Sequence, residues 1–204
     1  PDPYQRKLKQ KISELKGVKE SSIFLGNGSD EAIDLLIRAF CEPREDSILI
    51  FTPTYGMYQI SADINAIETV EIPLTTDFQI DVESASKIDA KVTFICSPNN
   101  PTGNDMDTQI VESILRTSKG LVIIDEAYID FSKRKSWTER LEEFPNLVVL
   151  QTFSKAYGMA SIRLGMAFAN EEIVSILNKI KPPYNVNGLT QNYALQALEN
   201  KEAV

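Results

Sequence analysis

The chain has 204 residues, enough for one sizeable α/β domain, and its 29 acidic residues against 21 basic ones leave a formal charge of −8. With no Lys/Arg-dense stripe to offset it, that balance argues against nucleic acid as a partner, and no apolar run approaches the length a membrane-crossing helix needs. Histidine is absent. A His-containing triad, a His-ligated metal and an imidazole base are therefore excluded within these residues, and proton transfer falls to Lys, Tyr, Asp or Glu.

In chain order, the apolar periodicity predicts a helix over 3–16 and a second over 29–40, with Ser29 as N-cap and acids in the first turn. SILIFT (47–52) reads as a strand, 56–65 as a helix, and AIETVEI (66–72) and VTFICS (92–97) as strands. A helix over 106–118 precedes the strand LVIIDE (121–126). Residues 130–146 are polar and are expected to form a surface excursion. The strands LVVLQT (147–152) and LGMAFA (164–169) follow, then helices over 171–180 and 188–200. Most strand segments are almost continuously apolar, as strands buried on both faces are. Alternation of the two patterns predicts an α/β fold: three α/β/α layers around a mainly parallel, doubly wound sheet. The chain closes on a helical pattern (ALQALENKEAV), and we expect it to be a fragment of a longer protein.

Ligands of such sheets bind outside the carboxyl ends of the strands. Polar residues stand at those ends here: GNGSDE (26–31), Tyr55 in TPTYGMY, Asn100 in PNNPTG (98–103), DEAY (125–128), and FSKAYG with Lys155, followed by SIRLG with Arg163. Each has an ordinary reading alone. PNNPTG makes a tight turn, Asp125 can cap a helix, GNGSDE can be an unliganded turn, and Tyr55 can be a half-buried core residue. One chemistry uses all of them. A desolvated lysine forms a Schiff base with an aldehyde, and pyridoxal phosphate is the aldehyde cofactor that needs the other groups. Asp125 fits its ring nitrogen, Asn100 and Tyr128 its phenolic oxygen, and Tyr55 its ring face. Arg163, Ser154 and the turn at Ser29, Asp30 and Glu31 fit its phosphate. Thr152 is grouped with the same site, and no metal is expected.

The order and spacing of GSDE, TPTYGMY, SPNNPTG, DEAY and FSKAYG…RLG resemble the fold-type I pyridoxal-phosphate aminotransferases, and within them the histidinol-phosphate aminotransferases. The resemblance runs along nearly the whole chain. It implies that Lys155 carries the cofactor and, with Asp125 and Tyr128, forms the catalytic set. It further implies ping-pong transfer of an amino group between histidinol phosphate (giving imidazole acetol phosphate) and 2-oxoglutarate (giving glutamate), by a cytoplasmic homodimer. On that reading residues 1–204 are the cofactor-binding large domain, without its N-terminal arm and C-terminal small domain, and 181–204 lead toward the latter. Sister enzymes on the same scaffold, an aromatic-amino-acid aminotransferase or a threonine-phosphate decarboxylase, share the lysine, the aspartate and the asparagine and stay open. So does a regulator with an aminotransferase-like ligand domain. GNGSDE is neither a dinucleotide fingerprint nor a P-loop, which argues against a nucleotide-binding domain. Cys41 and Cys96 lack paired or metal-like spacing, consistent with a reducing compartment.

Overall fold

The computed structural model describes residues 2–199. Helix α1 (Arg6–Lys16) leads to strand β1 (Ile23–Asn27) and helix α2 (Gly28–Phe40). There follow β2 (Ser47–Thr52), α3 (Met57–Ile64), β3 (Glu68–Pro73), the short α4 (Val82–Ala85), β4 (Val92–Cys96), α5 (Thr108–Thr117), β5 (Leu121–Asp125), β6 (Leu147–Thr152), β7 (Leu164–Ala169), α6 (Glu171–Ile180) and α7 (Gly188–Glu199). The seven strands form one sheet in the order β1-β7-β6-β5-β4-β2-β3. Only β7 runs against its neighbours; the pairings among β2, β3, β4, β5 and β6 are parallel.

Alternate residues of each central strand feed two cores. In β6, Leu147 and Val149 join the cluster that holds α1, α5 and α7, whereas Val148 and Leu150 join the one that holds α2, α3 and α6. The continuously apolar strands thus face helices on both sides, and the expected three-layer α/β/α architecture is what forms. β7 divides its faces by size: Leu164, Met166 and Phe168 point to the first core, while Gly165, Ala167 and Ala169 leave room for α2 to lie close. No helix among the described residues is long and apolar enough to cross a membrane.

Several expectations need correction. β1 was not anticipated, because IFL offers only three apolar residues before a glycine; its pairing with β7 makes it a strand. Ser29 is not the N-cap. Helix α2 starts one residue earlier, directly after Asn27, which occupies the cap position without a side-chain bond. The strand expected from residue 66 begins at Glu68, since Ala66 sits at φ 56 in the turn that ends α3. β3 lies at the sheet edge and is half exposed rather than buried on both faces. Residues 130–146 are not merely a surface excursion: Trp137, Leu141 and Phe144 are buried in the first core. The buried Glu126 holds this segment down, accepting from the Trp137 N–H at 2.7 Å, from Ser136 Oγ and, on β6, from Gln151 Nε2 at 2.9 Å. Residue 200, the last of the expected C-terminal helix, lies outside the described residues.

Candidate active site

The parallel strands end along one edge of the sheet, and their following turns carry the polar residues. Arg163 reaches the same edge by a different route: it precedes β7, and because β7 runs antiparallel its beginning lies beside the ends of the others. A cleft opens there. Of the residues singled out from sequence, Ser29, Asp30, Tyr55, Asn100, Asp125, Tyr128, Thr152, Ser154, Lys155 and Arg163 all line it. Glu31 does not line the cleft. Its carboxylate accepts from the Asn27 N–H and from Asn185 Nδ2, tying the start of α2 to the segment before α7.

Asp125 forms the floor at 2% exposure. Its Oδ2 accepts from the Tyr58 hydroxyl at 2.7 Å and its Oδ1 from the Ala127 N–H at 3.0 Å. Burial pushes its carboxyl above the usual range, and these two donors work against that push. None of the ion pairs among the described residues includes Asp125. A carboxylate buried among neutral donors is a ready partner for a cationic group of a ligand.

Lys155 sits above it, in a turn closed by the Gly158 N–H donating to the Lys155 carbonyl at 2.9 Å with Gly158 at φ 64. Its side chain is exposed at the mouth of the cleft, not desolvated as the sequence suggested, because the turn stands at the open end of the strand. The ammonium lies 5.1 Å from the centre of the Tyr128 ring, a cation–π distance. Thr152 anchors this turn. Its hydroxyl donates to the Leu164 carbonyl at 3.3 Å and accepts from the Ser154 N–H at 3.1 Å, while the buried Phe153 packs on Tyr157.

The anion-binding side of the cleft joins the start of α2 to Arg163. Backbone N–H groups at a helix start attract anions. Arg163 has a left-handed backbone (φ 52), its carbonyl accepts from the Gly28 N–H at 2.9 Å, and its Nη2 meets Asp30 Oδ2 at 3.3 Å. Asp30 also accepts from the Tyr55 hydroxyl at 3.1 Å, fixing that ring over the cleft. Burial, then the Asp30 charge, push the Tyr55 phenol up to about 12. Cys96 also lines the cleft, and burial pushes its thiol to about 12, which leaves it protonated rather than nucleophilic.

The two adjacent asparagines divide the work. Asn100 faces the cleft. Asn99 is buried behind it, donating to the Pro53 carbonyl (2.9 Å) and Thr102 Oγ1 (2.8 Å) and accepting from Thr54 Oγ1 (3.0 Å), so it staples the turn of Tyr55 to the turn of Asn100. Sequence reasoning passed over Asn99, Cys96 and Tyr58. For Tyr58 no local signal was present: Tyr55 precedes α3, and the approach of Tyr58 to Asp125 is a tertiary contact. The donor set fits pyridoxal phosphate: a buried acid for a ring nitrogen, an aromatic face, an amide and a phenol, an arginine at a helix start, and an amine above.

The family model for aminotransferase class I and II matches residues 1–204. The chain belongs to that family. It is 59% identical over 203 residues to the histidinol-phosphate aminotransferase of Cytophaga hutchinsonii, covering 98% of this chain and 58% of that protein. It is 55% identical to that of Christiangramia forsetii, covering 100% and 59%. The chain thus spans somewhat over half the length of the curated relatives it matches. Among solved structures, the histidinol-phosphate aminotransferase of Clostridium acetobutylicum is 28% identical with a TM-score of 0.90, over 100% of this chain and 62% of that one. That of Sinorhizobium meliloti, in complex with pyridoxal-5'-phosphate, shares the fold at 23% identity and a TM-score of 0.90, over 99% and 57%.

Proposed function

We propose that the protein of which this chain forms part is a pyridoxal-phosphate-dependent histidinol-phosphate aminotransferase, exchanging an amino group between histidinol phosphate and 2-oxoglutarate. What carries the reading is the meeting of Lys155, Asp125, Asn100, Tyr128 and Arg163 in one cleft of a chain 59% identical to an enzyme of that name.

In this reading Asp125 binds the cofactor's ring nitrogen, Asn100 and Tyr128 its phenolic oxygen, and Tyr55 its ring face. Ser154, Thr152, Arg163 and the start of α2 hold its phosphate, and Lys155 takes its aldehyde. When bound, the cofactor supplies an electron sink for the negative charge that develops at the substrate carbon bearing the amine. Once the substrate amine had replaced it at the aldehyde carbon, the freed Lys155 Nζ, in the turn above the floor, would take the proton from that carbon as base and give it back as acid on the same side. Tyr128, beneath the ammonium, orients it. Asp125 holds positive charge at the opposite end of the cleft, so the two ends pull in one direction.

Residues 1–204 serve as the cofactor-binding large domain, with 181–204 leading toward a further domain. We assign the complete protein to a cytoplasmic homodimer with small molecules as its ligands, in line with two buried, unpaired cysteines.

The test uses the complete protein loaded with pyridoxal phosphate and mixed with histidinol phosphate without a keto acid, followed by visible absorbance. Loss of the Lys155-linked band in the unchanged protein, and no such band in Lys155→Ala, is the expected result. A band that histidinol phosphate leaves untouched would move the substrate assignment to a sister enzyme, and a protein that takes up no pyridoxal phosphate would end the cofactor assignment.

A further inference from the structure

Among the described residues, Asp125 is touched by one side-chain hydrogen-bond donor, Tyr58. This tyrosine, the second residue of α3, is 0% exposed. Its ring stacks on Phe94 with centres 4.6 Å apart and planes 13° apart, and Tyr55 meets it edge-on at 5.6 Å. With the ring so held, its hydroxyl lies 2.7 Å from Asp125 Oδ2. We propose that Tyr58 is a positioning residue that keeps Asp125 ionised and aimed into the cleft, so that the carboxylate can hold a protonated ring nitrogen of pyridoxal phosphate. The proposal rests on the cofactor reading above and assigns to that site a residue outside the cleft lining.

The physical reason is a balance. Burial favours the neutral form of Asp125, and a neutral carboxylic acid cannot hold a cation in place. The Ala127 N–H and the Tyr58 hydroxyl oppose burial, and the first is backbone, present whatever the sequence. The other groups facing this pair do less for it. Asp30 from α2 adds a negative charge that pushes Asp125 further up, Lys155 from the turn after β6 pulls it down more weakly than the two donors, and Cys96 of β4 stays a thiol. Tyr58 itself keeps its proton: burial first, then the Asp125 charge, hold its phenol well above the usual value. The bond therefore has one direction, phenol to carboxylate, throughout the working pH range. A charge-assisted bond of this kind, with its donor ring held by the Phe94 stack and the perpendicular Tyr55, orients the acceptor as well as charging it.

The experiment uses the complete protein and three variants: Tyr58→Phe, Asp125→Asn and the two combined. Tyr58→Phe keeps the ring and its stacking and removes only the hydroxyl. The readouts are the dissociation constant of pyridoxal phosphate by equilibrium dialysis, the pH titration of the bound cofactor's visible absorbance, and thermal unfolding without cofactor. We expect Tyr58→Phe to weaken binding by about ten- to a hundredfold, the range of a lost hydrogen bond to a charged group. Ring-nitrogen deprotonation should move to lower pH. In the Asp125→Asn background the same substitution should add almost nothing, because the two act as one unit. Equal weakening in both backgrounds, or an unchanged dissociation constant and titration, would overturn the proposal. If Tyr58→Phe alone does not fold but the double variant does, the dependence on the Asp125 charge is read from that contrast and supports it; if neither folds, the role is packing and the proposal fails. Failure of the unchanged protein to bind pyridoxal phosphate takes the cofactor reading down first, and this one with it.

Discussion

A Cβ placed on Gly165 would lie 2.1 Å from the carbonyl carbon of Gly28. The second residue of β7 and the first residue of α2 are in backbone-to-backbone contact, and this contact seats Arg163 against the helix start. Gly28 is equally constrained: at φ 72, any Cβ would meet Arg163 Nη2 at 2.6 Å. Two glycines 137 positions apart in sequence numbering thus make one wall of the proposed phosphate site.

Gly165→Ala should therefore force α2 away from β7. Neither neighbour is a flexible side chain that could yield, so the cost is expected at the top of the 1–3 kcal/mol usual for overpacking, about 5–10 °C in Tm. Pyridoxal phosphate binding should weaken with it. Circular-dichroism melting and equilibrium dialysis check both, and an alanine variant that melts like the unchanged protein would show that the two backbones are not locked together.

Asn99 and Asn100 should separate stability from binding. Asn99→Ala leaves the Pro53 carbonyl and two hydroxyls short of a partner, which costs about 1–3 kcal/mol in a buried site. Asn100→Ala, on the cleft side, should leave stability within about 0.5 kcal/mol of the original while weakening cofactor binding. The reverse ordering in paired melting and binding assays would mean that the roles of the neighbours have been exchanged.

Arg163 offers a trade-off. Its left-handed backbone costs an L-residue about 1 kcal/mol, which glycine does not incur. Its ion pair with Asp30 is half exposed and worth little in return. Arg163→Gly is expected to be neutral or slightly stabilising to heat, yet to bind inorganic phosphate and pyridoxal phosphate more weakly. Loss of stability with binding intact would show the arginine to be a structural residue.

Glu126 carries a pH signature. Burial raises its carboxyl above the ordinary 4.5, against the pull of its Ser136, Trp137 and Gln151 donors. The folded chain then holds this proton at pH values where the unfolded chain has released it. As pH rises above 4.5 toward the folded value, the contribution of Glu126 to stability falls. Glu126→Gln cannot titrate, so the difference in Tm between it and the unchanged protein should grow in its favour across that window and be smallest in acid. Melting curves from pH 4 upward test this; parallel curves would show that Glu126 does not titrate differently in the two states.

The secondary structure inside the sheet was legible because burial on two faces writes a continuous apolar run: 47–52, 147–152 and 164–169 form strands with the expected bounds. β1 was not, since its five residues are held by pairing with β7 rather than by their own pattern. The segment 130–146 misled because its charges outnumber its anchors. Trp137, Leu141 and Phe144 reach the core in a segment that Glu126, ten residues before Ser136 at the end of β5, ties down through the Ser136 hydroxyl and the Trp137 N–H.

By itself, the sequence determined the chemistry available at the cleft: no imidazole, one lysine after a β-branched strand, an acid, an amide and a tyrosine at neighbouring strand ends. Periodicity and spacing carry that much because a parallel sheet delivers its strand ends to one edge. Only the tertiary structure decided how these groups are held and what supports them. It placed Asn99 behind Asn100 as a staple, sent Glu31 to Asn185, brought Arg163 to the shared edge ahead of the antiparallel β7, and set Tyr58 against Asp125 across 67 residues of chain. Such choices depend on contacts between segments far apart in the chain, where local propensity has no purchase.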